Sequence, residues 1–414
     1  MENRMLDLLI KRGRVIDPEL GIDQVADVGV VDGRIAFIHD QIDSPSRQIF
    51  DAQGLIVSPG LIDFHVHVYW GGTALGVDPL ELARRGACTS LVDTGSAGAG
   101  NFAGFRAHVI ERTPVRVFPF INIAFPGIFG YGNIIEVGEN EDLRLAEPRE
   151  IVHIAEQHRD ILVGVKCRVG REASGNTGII ALDLARECAD ALGLPLMAHI
   201  DAPPPSWREV LARLREGDVL THAFRPPPNC LIGPDGKVAE HAIEARKRGV
   251  LFDIGHGRDS FSFEVAERML NAGFFPDMIS SDVHAKCIDG PACDLLTTLS
   301  KFITIGADLN TTLRAATSGP ARALGRDDLS SLRIGSTADI SVIDNSGPSS
   351  TPLVDSTGKT RMSARTLTPV AAFVGGVPIL GGHHVRCGDY KGNLAGAQVH
   401  QRDSTPDYDK IKSP

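Results

Sequence analysis

Gly60-Leu61-Ile62-Asp63-Phe64-His65-Val66-His67 is an apolar run that stops at two histidines. An extended strand repeats its side-chain direction every second residue, so His65 and His67 lie on one face. A His-x-His pair alone recurs by chance on exposed strands, and its meaning depends on the partners supplied by the rest of the chain. From this point apolar strand-like runs alternate with helix-like stretches, at residues 61–68, 88–93, 115–123, 162–169, 195–200, 219–223, 250–254 and 278–282. Eight such units between residues 60 and 324 predict an α/β fold of (β/α)8 type, a TIM-like barrel. The alternative for the same alternation is a doubly wound open sheet.

Shorter β-rich pieces flank this region, at 6–15, 25–31 and 34–39 on one side and at 338–343 and 370–374 on the other. Asp32-Gly33 separates two of them, a hairpin signal because type I′ turns need positive φ. The simplest topology pairs residues 1–59 with 325–385 in a small β-sandwich domain formed by both termini around the barrel. Residues 345–365 and those after 388 are rich in Ser, Thr, Gly and Pro and read as loop; 386–414 are assigned to a C-terminal tail.

Composition narrows the partners. With 42 Lys+Arg against 52 Asp+Glu the formal charge is −10, and the basic residues are scattered, which argues against nucleic acid. No run reaches the ~18 apolar residues of a membrane span, and the first residues lack the apolar core of a secretory leader. Seven cysteines without a repeated spacing suit a reducing compartment. The expectation is a cytoplasmic protein with no membrane partner.

Polar residues end other apolar runs as well: Lys166 at 162–169, His199 at 195–200, His222 at 219–223 and Asp282 at 278–282. A barrel gathers the carboxyl ends of its strands at one mouth, so these groups would meet His65 and His67. Lysine is the odd member, because an ammonium repels a cation. It becomes a ligand once carbon dioxide converts the neutral amine into a carbamate, whose two oxygens can bridge two divalent ions.

The string from Gly60 to His67, the strand-four lysine, the two single histidines and the late aspartate together resemble the amidohydrolase superfamily, in its dihydroorotase-like, deacetylase-type branch. The resemblance implies that His65, His67 and Asp282 hold one metal, that His199 and His222 hold the other, and that carboxylated Lys166 bridges them. Such a site is a metal-dependent hydrolase. Two ions sharing a water lower its pKa from 15.7 toward ~7, leaving a bridging hydroxide as nucleophile, with Asp282 as proton shuttle and catalytic residue. A histidine and carboxylate set accepts Zn, Mn, Fe or Co, zinc being the expected ion. Asp63 is a candidate for orienting an imidazole, or else a carboxylate buried by backbone hydrogen bonds.

The loops after the strands choose the substrate. Arg168 and Arg225 are candidates for a substrate carboxylate, which either could hold in a bidentate fork. Tyr131, Asn133 and His256, the last flanked by glycines, are further substrate-binding candidates. Dihydroorotases that resemble this pattern carry an arginine two residues after the second histidine, where this chain has Tyr69. The expected reaction is therefore cleavage of an acyl ester or amide, deacetylating a small carboxylic acid such as an O-acetyl α-hydroxy acid or an N-acyl amino acid. Two other readings stay open: a cyclic amide hydrolase of dihydroorotase or hydantoinase type, and a non-enzymatic scaffold of the same fold. The resemblance also allows a homo-oligomer.

Overall fold

The computed structural model of the chain describes residues 5–132, 134–347 and 350–379. Asn133, residues 380–385 and the expected tail at 386–414 lie outside the described residues.

Five strands open the chain: β1 (Leu6–Asp17), β2 (Ile22–Val31), β3 (Arg34–His39), β4 (Ser46–Asp51) and β5 (Ile56–Pro59). Asp32 and Gly33 between β2 and β3 have φ of 50° and 70°, the turn expected of that dipeptide. A bulge interrupts β1 between Ile10 and Gly13. Ahead of it β1 pairs in parallel with β4, and beyond it with β5. One strand thus feeds two branches, and bulges bend and twist a sheet in just this way.

The middle of the chain supplies β6 (Leu61–Val66), β7 (Cys88–Gly98), β8 (Arg116–Asn122), β9 (Gly164–Val169), β10 (Leu196–Ile200), β11 (Val219–Leu220) and β12 (Leu251–Phe252). These form a parallel sheet in sequential order. Every residue of β6 and β7 is buried, because helices cover one face and the barrel interior the other. The eighth expected strand, 278–282, is no regular strand. Met278 bridges Asp253 and Val283 bridges Val66, both in parallel, so the segment closes the ring through single bridges. Its ladder is broken because Ser280 and Ser281 spend their hydroxyls on Asp253 and Asp63, and Asp282 then turns to φ 47°. The sixth strand likewise stops at Leu220, before His222 turns to φ 63°. Positive φ on residues with side chains is costly and concentrates where geometry serves a site.

The chain then returns to the first sheet with β13 (Ile340–Asp344) and, after β14 (Thr351–Val354) and β15 (Thr360–Ser363), with β16 (Thr368–Val374) and β17 (Val377–Pro378). The terminal sheet has eight strands, in the order β17-β16-β13-β5-β1-β2-β3 with β4 beside β1. Its two arms face each other: the Phe50 ring of β4 meets Phe373 of β16 edge-on at 5.7 Å. The expected sandwich is thus one continuous sheet bent over its own core, Leu8, Ile10, Val28, Val57, Ile340 and Phe373 among it.

One expectation fails here. Residues 345–365 have the composition of a loop, yet β14 and β15 pair in register as a hairpin. Asp355 organises its turn, accepting from Thr357 N at 2.8 Å and Lys359 N at 3.0 Å, and its other oxygen accepts from Phe263 N at 2.9 Å. Polar composition conceals the strands because their stability comes from this cap and from docking on the barrel rather than from an apolar face.

Sheet and barrel are stitched at the point where one becomes the other. Gly60 N donates to Asp339 O at 2.8 Å, Leu61 N to Ser341 Oγ at 2.8 Å, and Arg116 grips Asp339 through two hydrogen bonds of 2.8 and 3.1 Å. Among the described cysteines, Cys88, Cys167, Cys188, Cys230 and Cys287 are free and buried, while Cys293 is disulfide-bonded. No described helix is long and apolar enough to cross a membrane.

Candidate metal centre

The six side chains singled out at strand ends, His65, His67, Lys166, His199, His222 and Asp282, line one cavity of about 140 Å³ at the carboxyl mouth of the barrel. Sequence neighbours could not have brought them there; closure of the parallel ring does. His65, His67 and Asp282 present ligand atoms all within 4.8 Å of one another. The rings of His65 and His222 lie 5.1 Å apart, and those of His199 and His222 4.4 Å apart.

Hydrogen bonds fix which nitrogen is bare in the rings of His65, His67 and His222. Thr221 Oγ1 donates to Asp253 Oδ2 at 2.6 Å, so its contact with His65 Nδ1 at 2.8 Å needs the proton on that nitrogen. Ser96 Oγ donates to Asp93 Oδ2 at 2.8 Å, so His67 Nδ1, at 2.9 Å from the same hydroxyl, also carries its proton. His222 Nδ1 donates to the Gly255 carbonyl at 2.7 Å. A neutral imidazole with Nδ1 protonated has a lone pair at Nε2. The Nε2 atoms of His65 and His67 each stand 3.3 Å from Asp282 Oδ1, and that oxygen is buried without a hydrogen-bond partner. Lone pairs facing one another with no proton between them repel unless a cation sits among them. His199 Nε2 is a second buried atom lacking a partner. The donor set and its orphaned atoms therefore fit divalent metal.

Burial sets the charge states. It depresses His67 to about 3, assisted by the positive charge of Lys166, and drives His65, His199 and His222 well below the ordinary imidazole range. All four rings are neutral at pH 7, as ligands must be. Burial pushes the Asp282 carboxyl up to about 6, with His284 and Lys166 opposing the rise. Lys166 is fully buried, touching His65 Nε2 at 3.5 Å and Met197 Sδ at 3.4 Å, with no ion-pair partner among the described residues. Desolvation lowers it to about 7, against the attraction of Asp282, so a neutral amine is accessible.

The expected substrate groups separate. Tyr131, Arg168 and Arg225 line the cavity; Asn133 lies outside the described residues. His256 does not line it. Its Nδ1 donates to Gly257 O at 2.9 Å and its Nε2 accepts from buried Lys301 at 2.7 Å, while its ring stacks on Phe261 at 4.7 Å. The flanking glycines serve the turn: Gly255 and Gly257 have φ of 46° and 52°, and a Cβ on Gly257 would meet Asp282 Oδ2 at 2.3 Å. Asp63 orients no imidazole; its carboxylate holds Ser281 N at 2.8 Å and the Ser281 hydroxyl, buttressing the segment that carries Asp282.

Sequence reading missed the carboxylates that do orient histidines, Asp93 behind Ser96 and Asp253 behind Thr221. Their signal was present in part: Asp93 ends the apolar run at 88–93, and Asp253 interrupts the one at 250–254. It also missed Glu139, which accepts from Arg168 Nη1 at 3.1 Å, and His284, another wall residue of the cavity. Both belong to loops, where periodicity is silent.

Comparisons with known proteins define the family. Residues 261–379 match the model of the amidohydrolase family. A deacetylase of Agrobacterium fabrum is 33% identical over 355 residues, 86% of this chain and 86% of that protein. A solved dihydroorotase superposes with TM-score 0.83 at 31% identity, covering 91% of this chain and 98% of the other. A solved adenine deaminase gives TM-score 0.83 at 30% identity, over 90% of this chain and 99% of its own. The chain belongs to the amidohydrolase family, as the motif at residues 60–67 led one to expect. It is a hydrolase built on the barrel and terminal sheet of that family.

Proposed function

We propose that this chain deacylates a small carboxylic acid, cleaving an acyl ester or amide, with O-acetyl α-hydroxy acids and N-acyl amino acids as the substrate class. His65, His67 and Asp282 would hold one divalent ion, His199 and His222 a second, with the carbamate of Lys166 between them and zinc as the expected metal. When bound, the ions supply Lewis acidity for the acyl carbonyl and for the attacking water. Asp282 takes the proton of the attacking water. As the C–N or C–O bond breaks, the electron pair goes to the leaving heteroatom, and Asp282 returns the proton there.

The observation that carries the reading is the contrast between two arginines beside the metal ligands. Arg168 is already neutralised: Glu139 takes one nitrogen, and its guanidinium lies 4.6 Å over the Tyr131 ring. Arg225 has no ion pair among the described residues. It donates to the Ile200 carbonyl, and its Nε is buried without a partner. The side chain is half-buried, and Asp201, Glu172 and Asp259 act on it through the field without an ion-pair contact. A guanidinium with a buried, unpartnered Nε is incompletely satisfied, and a substrate carboxylate would complete it. The relative named a deacetylase supports the same choice.

The likeness to a dihydroorotase favours a second reading, opening of a cyclic amide. Against it, Tyr69 stands where that enzyme type's pattern has its arginine. Its hydroxyl donates to Asn101 O at 3.2 Å and its ring packs 4.7 Å from Phe105, so nothing at this position receives an anion.

Metal analysis of the purified protein, then assays of N-acetyl and O-acetyl acids beside dihydroorotate, test the proposal. Turnover of the acetyl acids by protein holding close to two divalent ions is expected. Turnover of the cyclic imide alone would reverse the choice, and metal-free protein without activity would favour a scaffold. Arg225→Met should raise KM for a carboxylate substrate about 10- to 100-fold, with little change for p-nitrophenyl acetate. An equal loss on both substrates would remove Arg225 from carboxylate binding.

A further inference from the structure

One imidazole on the cavity wall is set opposite to the metal-facing rings. The backbone N–H of Lys286 donates to His284 Nδ1 at 3.2 Å. A nitrogen that accepts carries no proton, so the neutral ring bears its hydrogen on Nε2, where His65, His67 and His222 are bare. The backbone that carries the ring is anchored: His284 N donates to Cys287 Sγ at 3.4 Å, and its carbonyl accepts from Cys287 N at 2.9 Å and Ile288 N at 3.1 Å. No acceptor for its Nε2–H is found among the described residues. The ring centre stands 6.2 Å from that of His67, and His284 and Asp282 line the same cavity two residues apart. A donor here cannot be a metal ligand without giving up its proton. It is a fixed N–H beside the group that handles the leaving atom.

We propose that His284 donates its Nε2–H, as a hydrogen bond, to the leaving heteroatom of the substrate as the acyl bond breaks. This rests on the proposed acyl hydrolysis and names a residue for one half of it. In the step, the electron pair of the breaking C–O or C–N bond passes to the heteroatom. The proton that completes the leaving group comes from Asp282, and His284 keeps its own hydrogen throughout. Its contribution is a hydrogen bond that strengthens as negative charge develops, which acts on kcat rather than on binding. Proton delivery by Asp282 and a fixed donor at His284 thus divide the leaving-group chemistry between them.

The test compares wild type, His284→Ala and His284→Gln, all loaded with zinc, on acetate esters whose leaving groups range from p-nitrophenol to simple alcohols. In His284→Ala, kcat for poor leaving groups should fall about 10- to 100-fold, with little change for p-nitrophenyl acetate, little change in KM and unchanged metal content. His284→Gln, whose amide can reach with a donor, should recover part of the loss. A loss uniform across leaving groups, a change confined to KM, or lost metal would overturn the assignment. So would unchanged kinetics. Wild-type turnover of the acetyl acids decides the proposed function separately. If wild type opens only dihydroorotate, its ring opening replaces the ester series: the departing ureido nitrogen is a far poorer leaving group than p-nitrophenolate, so a fall in kcat is expected, and its absence refutes the role of His284.

Discussion

A single lysine carries much of the chemistry proposed for this site. Lys166 is fully buried, and desolvation lowers it to about 7 against the attraction of Asp282; an ammonium without an ion-pair contact there is unfavourable enough that a carbamate between cations would relieve it. Lys166→Ala should lose bound metal and activity together, with partial recovery on adding short carboxylic acids that replace the missing bridge. Retention of both ions with full turnover would refute the bridge. Asp282→Asn should fold normally, since Asp282 Oδ1 has no protein hydrogen-bond partner to lose, and should lower kcat by at least about 100-fold as the proton shuttle disappears; unchanged kinetics would take Asp282 out of the mechanism. At this scale the sequence was most legible for residues that interrupt apolar runs. It was least legible for His256 and His284. Both sit in turns after strands, and only coordinates show His256 spent on Lys301 while His284 faces the cavity.

Among the elements, the β14–β15 hairpin shows where patterning fails. Its strands lack a continuous apolar face, with Leu353 the buried residue of β14, and Asp355 supplies what side-chain alternation does not. Removing that carboxylate by Asp355→Ala leaves the buried N–H of Phe263 unpaired and releases the turn N–H groups of Thr357 and Lys359 to solvent. The cost should be about 1–3 kcal/mol, read as a lower urea midpoint, with metal content unchanged. A midpoint equal to that of wild type would show that the hairpin docks without its cap. The eighth barrel segment is the complementary case. Its apolar run announces a strand, but serines 280 and 281 bond to Asp253 and Asp63 instead of leaving the ladder regular. What is lost in regularity fixes Asp282 and, through Thr221, His65.

Across the whole molecule, burial of charge makes stability depend on pH. Lys301 is buried against His256 and the Pro291 carbonyl at 2.7 and 2.8 Å, and desolvation lowers it to about 7, against the attraction of Asp355. Between that value and the ordinary lysine pKa of about 10.4, the unfolded chain binds the extra proton. Folding stability should therefore rise with pH across this window, and that increment is gone once pH has fallen to about 7. In metal-free protein, the stability of wild type relative to Lys301→Met should improve from about pH 7 to about pH 9.5, followed by urea denaturation. A gap that stays constant would mean that Lys301 keeps its charge on folding.

The sequence by itself determined the class of fold, the pairing of the two ends around a barrel, and the six groups at its mouth. Each of these is written locally, in the period of apolar runs and in the polar residue that ends each one. Tertiary structure alone decided which ring nitrogens are bare, which arginine is already spent and which histidine faces the cavity. Those properties depend on hydrogen-bond partners contributed by distant strands, and no local pattern encodes a partner that arrives only when the ring closes.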